Sequence, residues 1–358
     1  MLSCLWLIEA VFCINELNWQ LEFRGMKLLF WLLALGVVFA YWTSSSSTEV
    51  VDTIPFDNSC PVIYDNDDHR DMYTDEYLFS LASAGSINLK GIITSYSGDN
   101  YEYNLFVSGR QQIIDKARQS GLINLPDAIA GPFMPLQRPK SNQIEDTHSL
   151  NSVAGQFIVH AAMQASPDKP LVVIAGGQLT AIADAYLQDP LIADRVIVCG
   201  IFGTLHETYN AGLDSWAWAI VIRKFRCVSI SDSEDGTPYS YVFLHGRPLT
   251  GKQRIKQDLE NGVIPSTAFY HWMLEKHHPV HPPVYMEKDG DTPAAIPLMR
   301  PDYLTGMERW RCTGTDDDGK PVVVPDSDGP LYLIINADPD VATMEFWRAI
   351  EESKTWRH

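Results

Sequence analysis

Short apolar segments alternate with amphipathic segments along most of the chain. Five apolar runs have the length and the β-branched content of buried strands. They cover residues 61–64, 89–95, 128–130, 171–175 and 195–201. Apolar residues at helical spacing lie between them, for example over 103–120 and 152–164. Strands that alternate with helices in this way form parallel sheets covered on both faces. The pattern predicts an α/β fold with an open, mostly parallel, Rossmann-like sheet and helices on both faces.

The C-terminal part continues the pattern after one irregular segment. A strand is predicted at 331–336 and a helix at 341–353. The Asp-, Gly- and Pro-rich segment 313–330 predicts a hairpin or loop insertion, with a turn rather than a calcium loop at 316–319. Composition does not break between residues 52 and 358, so we expect one domain over 51–358.

The first fifty residues have a different pattern. Arg24 and Lys27 precede the apolar run 28–42, and Thr43 and four serines follow it. This order is typical of a signal peptide, with a Ser-rich linker after it. The run is shorter than the roughly 20 residues of a spanning helix, although an uncleaved anchor stays open. Because Met26 stands before the run, residues 1–25 are interpreted as an upstream extension or a long n-region. We expect an exported protein, periplasmic or extracellular, that contacts a membrane only through this segment.

Composition excludes some classes of function. The net charge of −18 argues against nucleic-acid binding, which needs clustered Lys and Arg, and it suits a protein that holds cations. The hydrophobic fraction of 46% is sufficient for a folded core. Six widely spaced cysteines form neither a disulfide framework nor a zinc pattern, and Cys199 is expected to be a buried thiol.

Candidate chemistry begins where the first predicted strand ends. Four carboxylates, those of Asp65, Asp67, Asp68 and Asp71, lie within seven residues directly after the strand 61–64. Ligands bind beyond the carboxyl ends of strands in open parallel sheets, and oxygen ligands select Ca²⁺ or, less well here, Mg²⁺. The alternative is a solvated turn with a helix cap, since Asp is favoured at both.

Several blocks resemble the signatures of nucleoside hydrolases, in the order of that family. The spacing of Asp65, Asp67 and Asp71 is similar to the first part of DxDxxxDD. The later blocks are GIIT with Gly-Asp-Asn at 91–100, AGGQLTAIA at 175–183, Asn210 with Asp214, and Asp291 before Thr-Pro. Together they cover roughly residues 60 to 300 and identify the chain as similar to the inosine- and uridine-preferring members, at a distance.

The resemblance implies a metal-dependent hydrolysis of an N-glycosidic bond in a nucleoside or related ribosyl compound. It makes Asp67 a metal ligand and the catalytic residue that helps to activate water, as a carboxylate beside a cation can. It implies further metal ligands at Asp65, Thr180 (through its carbonyl) and Asp291. It implies sugar contacts from Asp71, Asp99, Asn100, Asn210 and Asp214.

The sequence departs from the family pattern at defined positions. Met72 stands where the family has a metal-binding Asp, and a thioether is a poor ligand for a hard cation. Asp75 and Glu76 are candidate replacements, although acidic residues in a first helical turn need no metal to explain them. Thr208 replaces a family Glu, with Glu207 one position away, and no His precedes Asp291. The residue that protonates the leaving group is therefore not identified.

Two other functions remain open on sequence grounds. A strand followed by DxD is also the beginning of phosphatases with an aspartate nucleophile. Alternatively, a chain that lost a metal ligand at Met72 could bind a nucleoside or sugar without cleaving it.

The histidine cluster is interpreted as a surface loop, with a role as proton donor as the alternative; it consists of His271, His277, His278 and His281. A homo-oligomer is compatible with the sequence but is not predicted by it.

Overall fold

The structure is a computed structural model. It describes residues 53–67, 74–95, 103–230 and 291–353, together with residues 257, 260–262 and 271. The predicted signal or anchor segment lies outside these residues, so export and the division of the chain at about residue 50 stay predictions. Within the described part of the chain, no helix is long and apolar enough to cross a membrane.

Nine strands form one mixed sheet in the order β3-β2-β1-β4-β5-β6-β9-β7-β8. The strands are β1 (Pro61–Asn66), β2 (Asn88–Thr94), β3 (Ala128–Ala130), β4 (Leu171–Ala175), β5 (Val196–Gly200), β6 (Arg226–Ser229), β7 (Leu304–Thr315), β8 (Pro321–Pro325) and β9 (Leu331–Ala337). Neighbouring strands are parallel from β3 through β9, and β7 and β8 add an antiparallel edge. The predicted mostly parallel α/β sheet is confirmed.

Helices connect the parallel strands. They are α1 (Thr74–Ser83), α2 (Tyr103–Gln119), α3 (Val153–Met163), α4 (Thr180–Gln188), α5 (Tyr209–Leu213), α6 (Ser215–Lys224), α7 (Thr292–Ala295) and α8 (Pro339–Glu352). Short 3-10 turns cover Ile144–Asp146, Pro190–Arg195, Ile296–Leu298 and Pro301–Tyr303. Ser152 caps α3 by accepting a hydrogen bond from the Gly155 N–H at 3.0 Å, as an N-cap serine does.

The two faces of the sheet bury two separate apolar layers. Successive side chains of a strand point to opposite faces, so Val62 and Tyr64 lie in one layer and Ile63 lies in the other. The first layer receives apolar residues of α1, α2, α7 and α8, and the second receives those of α3, α4 and α6. Because both faces are covered, the central strands are buried along their length, which explains their continuous apolar runs.

The order of the strands reverses between β1 and β4. From β1 the chain moves outward to β2 and β3, then returns to β4 on the other side of β1 and continues to β5 and β6. Helix α1, which follows β1, packs on one face of the sheet, and α4, which follows β4, packs on the other. This arrangement creates a crevice at the carboxyl ends of the two strands, where open α/β sheets bind ligands. Asp67 after β1 and the glycines after β4 lie at this crevice.

The C-terminal hairpin is longer than the sequence indicates. The expected insertion at 313–330 contains its turn, where Asp316 accepts hydrogen bonds from the N–H groups of Asp318 and Lys320. The preceding strand already begins at Leu304, and an alternation of apolar and polar residues is hard to see there because no residue of β7 is fully buried.

Helix α6 was not predicted from the sequence, because its Trp and Ile residues favour strand and helix alike. Trp216 and Trp218 of α6 are core residues.

Candidate functional site

Two glycines at the end of β4 bring distant aspartates together. A Cβ on Gly176 would overlap the carboxylate of Asp291, and a Cβ on Gly177 would lie 2.8 Å from both Cβ and N of Asp67. The two aspartates therefore pack directly against neighbouring residues of one turn, although they are far apart in sequence. Both are buried. Only residues without a side chain permit this approach, which is the physical reason for the Gly-Gly pair.

Asp65 is almost fully buried, and its carbonyl accepts a hydrogen bond from the Gly176 N–H at 2.9 Å. Its Oδ1 accepts a hydrogen bond from the Ser95 hydroxyl at 3.1 Å, while its Oδ2 has no hydrogen-bond partner. Burial raises the pKa of Asp65 to about 7, against smaller lowering effects of Ser95 and Arg110. A buried, unsatisfied carboxylate oxygen of this kind is costly unless a cation or a proton satisfies it.

A hydrogen-bonded chain connects the end of β1 to Asp291. The Asn66 side chain accepts a hydrogen bond from the Asp67 N–H at 2.7 Å and donates from Nδ2 to the Tyr64 hydroxyl. The Tyr64 hydroxyl donates to Oδ2 of Asp291 at 3.4 Å. All four residues are buried.

Asp75 is engaged in a buried ion pair. Its Oδ1 accepts a hydrogen bond from Nη1 of Arg110, and neither side chain is exposed to solvent. The Arg110 guanidinium also lies over the Tyr64 ring, 5.4 Å from its centroid. Glu76 is buried on the same helix. The geometry thus gives Asp75 a cationic partner from the protein, and the metal-ligand role of Asp75 and Glu76 stays a prediction.

Asp214 holds three segments together at the rim of the site. Its carboxylate caps α6 through the Ala217 N–H at 3.0 Å and accepts the Thr180 hydroxyl at 2.7 Å and the Leu136 N–H at 2.8 Å. Burial raises its pKa, and hydrogen bonds from backbone N–H groups oppose that effect. Thr180 is the first residue of α4, three positions after Gly177.

Asn210 joins the turn after β4 to the loop after β5. Its Nδ2 donates to the carbonyl of Gly176 at 2.8 Å and to that of Ile201 at 3.0 Å. Glu207, near the position of the missing family Glu, accepts a hydrogen bond from the Ser215 hydroxyl and pairs with Lys320 at 2.6 Å. These contacts hold the loop beside the turn that Asp67 and Asp291 flank.

The described residues fit an oxygen-coordinated cation, because Asp65 has a buried oxygen without a hydrogen-bond partner, and Asp67 and Asp291 pack against the two glycines of the adjacent turn. Among these residues, no three Asp, Glu, His or Cys side chains converge as a complete metal cluster. The predicted residues Asp71, Asp99 and Asn100, and the departure at Met72, lie outside the described part of the chain. So do His277, His278 and His281.

Four residues of the site have no assignment from the sequence. They are Tyr64, Asn66, Ser95 and Arg110. Tyr64 reads as one more apolar strand residue, and Arg110 lies on an amphipathic helix where an Arg is ordinarily solvated. A polar residue at the carboxyl end of a predicted strand was the one available signal, and it applies to Asn66 and Ser95.

Comparison with solved structures identifies the fold. The inosine-uridine preferring nucleoside hydrolase of Bacillus anthracis is 15% identical with a TM-score of 0.57, over 82% of this chain and 99% of that one. The purine-preferring ribonucleoside hydrolase of Gardnerella vaginalis is 16% identical with a TM-score of 0.57, over 82% and 98%. A plant nucleoside hydrolase, PpNRh1, is 15% identical with a TM-score of 0.57, over 82% of this chain and 99% of that one. No protein-family model and no curated protein sequence matches the chain. The chain has the nucleoside hydrolase fold.

Proposed function

We propose that this protein hydrolyses the N-glycosidic bond of a nucleoside or a related ribosyl compound in a metal-dependent reaction. The observation that carries the proposal is the meeting of Asp67 and Asp291 on the Gly176-Gly177 turn, at the switch point of a nucleoside hydrolase fold. Aspartates from two distant segments that converge at the carboxyl ends of strands form a reaction site more readily than a surface turn.

Asp67 and Asp291 would hold the cation, with the Thr180 carbonyl and Asp65 as further oxygen donors. Calcium suits this donor set better than magnesium, because it accepts several carboxylates in a flexible shell. The bound cation would lower the pKa of a water molecule. Asp67 would accept a proton from water, and the C–O bond formed at the anomeric carbon would replace the N-glycosidic bond, whose electron pair leaves with the base as positive charge develops on the sugar ring.

Residues on the surrounding loops would bind the sugar. Asp71, Asp99 and Asn100 are proposed to accept hydrogen bonds from ribose hydroxyls, in line with the sequence resemblance. Asn210, in α5, borders the turn after β4, since its amide donates to the Gly176 carbonyl at 2.8 Å. The proposed role of Asp214 is indirect, because its carboxylate fixes the start of α6 and the Thr180 side chain. We further propose that the reaction takes place outside the cytoplasm, on the basis of segment 28–42.

Release of ribose from inosine and from uridine tests the proposal. The full chain should release reducing sugar in the presence of Ca²⁺, and excess chelator should abolish the release. Asp67→Asn should lower kcat by about 100-fold or more, since a positioned base contributes that much. Asp302→Asn, at an exposed aspartate paired with Arg300, is the matched control and should retain full activity.

The same preparation distinguishes the other functions. Phosphate release from a phosphomonoester would favour an aspartate-nucleophile phosphatase. Binding of a nucleoside without cleavage, with or without Ca²⁺, would favour a non-catalytic binding protein. Either result would overturn the proposed hydrolase.

A further inference from the structure

We infer that Tyr64 and Asn66 act as positioning residues that couple the orientation of Asp67 to that of Asp291. The inference rests on the proposed function, because the two aspartates are the proposed metal ligands there. Neither Tyr64 nor Asn66 would contact substrate or cation. Their effect would be exerted through a hydrogen-bonded chain between the ligands.

The orientation of the Asn66 amide follows from its partners. Its Oδ1 lies 2.7 Å from the Asp67 backbone nitrogen, which can only donate, so this atom must be the carbonyl oxygen. The amide nitrogen therefore faces the Tyr64 hydroxyl and donates to it. One planar group thus holds the backbone of Asp67 and contacts the tyrosine at the same time.

The direction of the next bond follows from the first. The Tyr64 hydroxyl accepts from Asn66, so its single proton is available for Asp291, whose Oδ2 is 3.4 Å away. A donor on one carboxylate oxygen restricts the rotation of that carboxylate. Partners of this kind fix the orientation of metal ligands and raise metal affinity.

The tyrosine itself is held from two sides. Tyr64 and Asn66 are two positions apart on β1 and therefore project to the same face of the sheet. The Arg110 guanidinium covers the Tyr64 ring at 5.4 Å from its centroid, and its pairing with Asp75 keeps it there. Because the ring is fully buried, the hydroxyl has little freedom to turn away from Asp291.

Tyr64→Phe isolates the hydroxyl, since it keeps the ring and its contact with Arg110. Calorimetric titration of the chelator-treated full chain with CaCl₂ should show an affinity about 10-fold weaker than that of the natural protein, at the lower end of the effect of such partners. The melting temperature of the metal-free variant should change far less than that of the calcium-loaded one. Tyr77→Phe is the matched control, because its buried hydroxyl donates to another carboxylate, Glu345, at 3.3 Å. The control should retain calcium affinity.

Asn66→Ala extends the test to the coupling. If Asn66 acts through Tyr64 on Asp291, the double variant should lose less calcium affinity than the product of the two single losses. Strictly multiplicative losses of calcium affinity, or an unchanged calcium affinity in Tyr64→Phe, would overturn the inference. The proposed function would not be affected by either result, provided that the natural protein binds Ca²⁺. If the natural protein itself binds no Ca²⁺, the proposed function and this inference both fail.

Discussion

Two glycines determine how closely the aspartates of the site approach the turn after β4. Gly177 lies against Asp67 and Gly176 lies against Asp291, so the side chains of the aspartates occupy the space that a Cβ would need. Neither glycine is present because of a left-handed backbone, since neither has a positive φ. Close packing at the site is the reason for both.

Gly177→Ala should therefore damage the site and the fold together. The added methyl group meets the backbone of Asp67 at 2.8 Å, where only backbone movement gives relief. We expect a loss of about 1–3 kcal/mol in the free energy of unfolding, as for other overpacked positions, and a loss of calcium affinity. Urea denaturation and calcium titration measure the two effects. Gly314→Ala is the control, because nothing lies within 4 Å of its added Cβ. Equal behaviour of the two variants would contradict the packing argument.

Asp75 allows a sharp distinction between an ion-pair partner and a metal ligand. Asp75→Asn removes the carboxylate that pairs with the buried Arg110, so we expect the free energy of unfolding to fall by about 3–5 kcal/mol. The folded variant should keep its calcium affinity if the Asp75 carboxylate pairs with Arg110 and does not bind the cation. Loss of calcium affinity would instead show Asp75 as the replacement for the aspartate missing at Met72. Asp115→Asn on α2, at a half-exposed pair with Arg118, should change stability little.

At the scale of elements, the sequence predicted most strands and helices of the described region. Strands β1 to β5 are apolar and short because both faces of the sheet are covered, and such runs are readily recognised. Helix α6 and strand β7 were missed for opposite reasons. The buried residues of α6 are apolar on all sides, and β7 has partly buried and exposed residues but no fully buried one, so neither element has a clear period.

Only those residues of the candidate site that belong to a recognisable local pattern were singled out from the sequence. Motif order singled out Asp67, Asp291 and the glycine turn, and Asp67 and the glycines stand where β1 and β4 end. Tyr64 and Arg110 escaped, since their roles depend on contacts between β1, α1 and α2 that no local pattern records. The metal-ligand assignments themselves stay predictions.

Lys320, directly before β8, forms an ion pair with Glu207 in the loop between β5 and α5. Hydrogen bonds from Lys320 and Ser215 lower the pKa of Glu207. A carboxylate with a lowered pKa stabilises the fold above its unfolded value of 4.5 and loses that contribution as pH falls through the folded value. Lys320→Met should therefore lower the urea midpoint slightly at pH 7 and have a vanishing effect as pH falls below 4.5. Lys140→Met, at another exposed lysine, should show no such pH dependence. An effect that grows on acidification would contradict this account.

At the scale of the whole molecule, the topology places the chemistry. The reversal of strand order between β1 and β4 creates a crevice, and the long path from β4 to α7 returns Asp291 to it. The fold alone supports many chemistries, so the likeness to nucleoside hydrolases gives the architecture and the residues must give the reaction. The account therefore depends on whether Asp67 and Asp291 serve one cation.

Calcium titration of four chelator-treated chains, the natural protein and three variants, tests that claim most directly. The natural protein should bind one Ca²⁺ at the crevice, and Asp67→Asn and Asp291→Asn should each lose it, while Asp302→Asn binds as the natural protein does. Both losses should occur in proteins that remain folded by circular dichroism. Calcium binding that survives in either Asp67→Asn or Asp291→Asn would contradict a shared site.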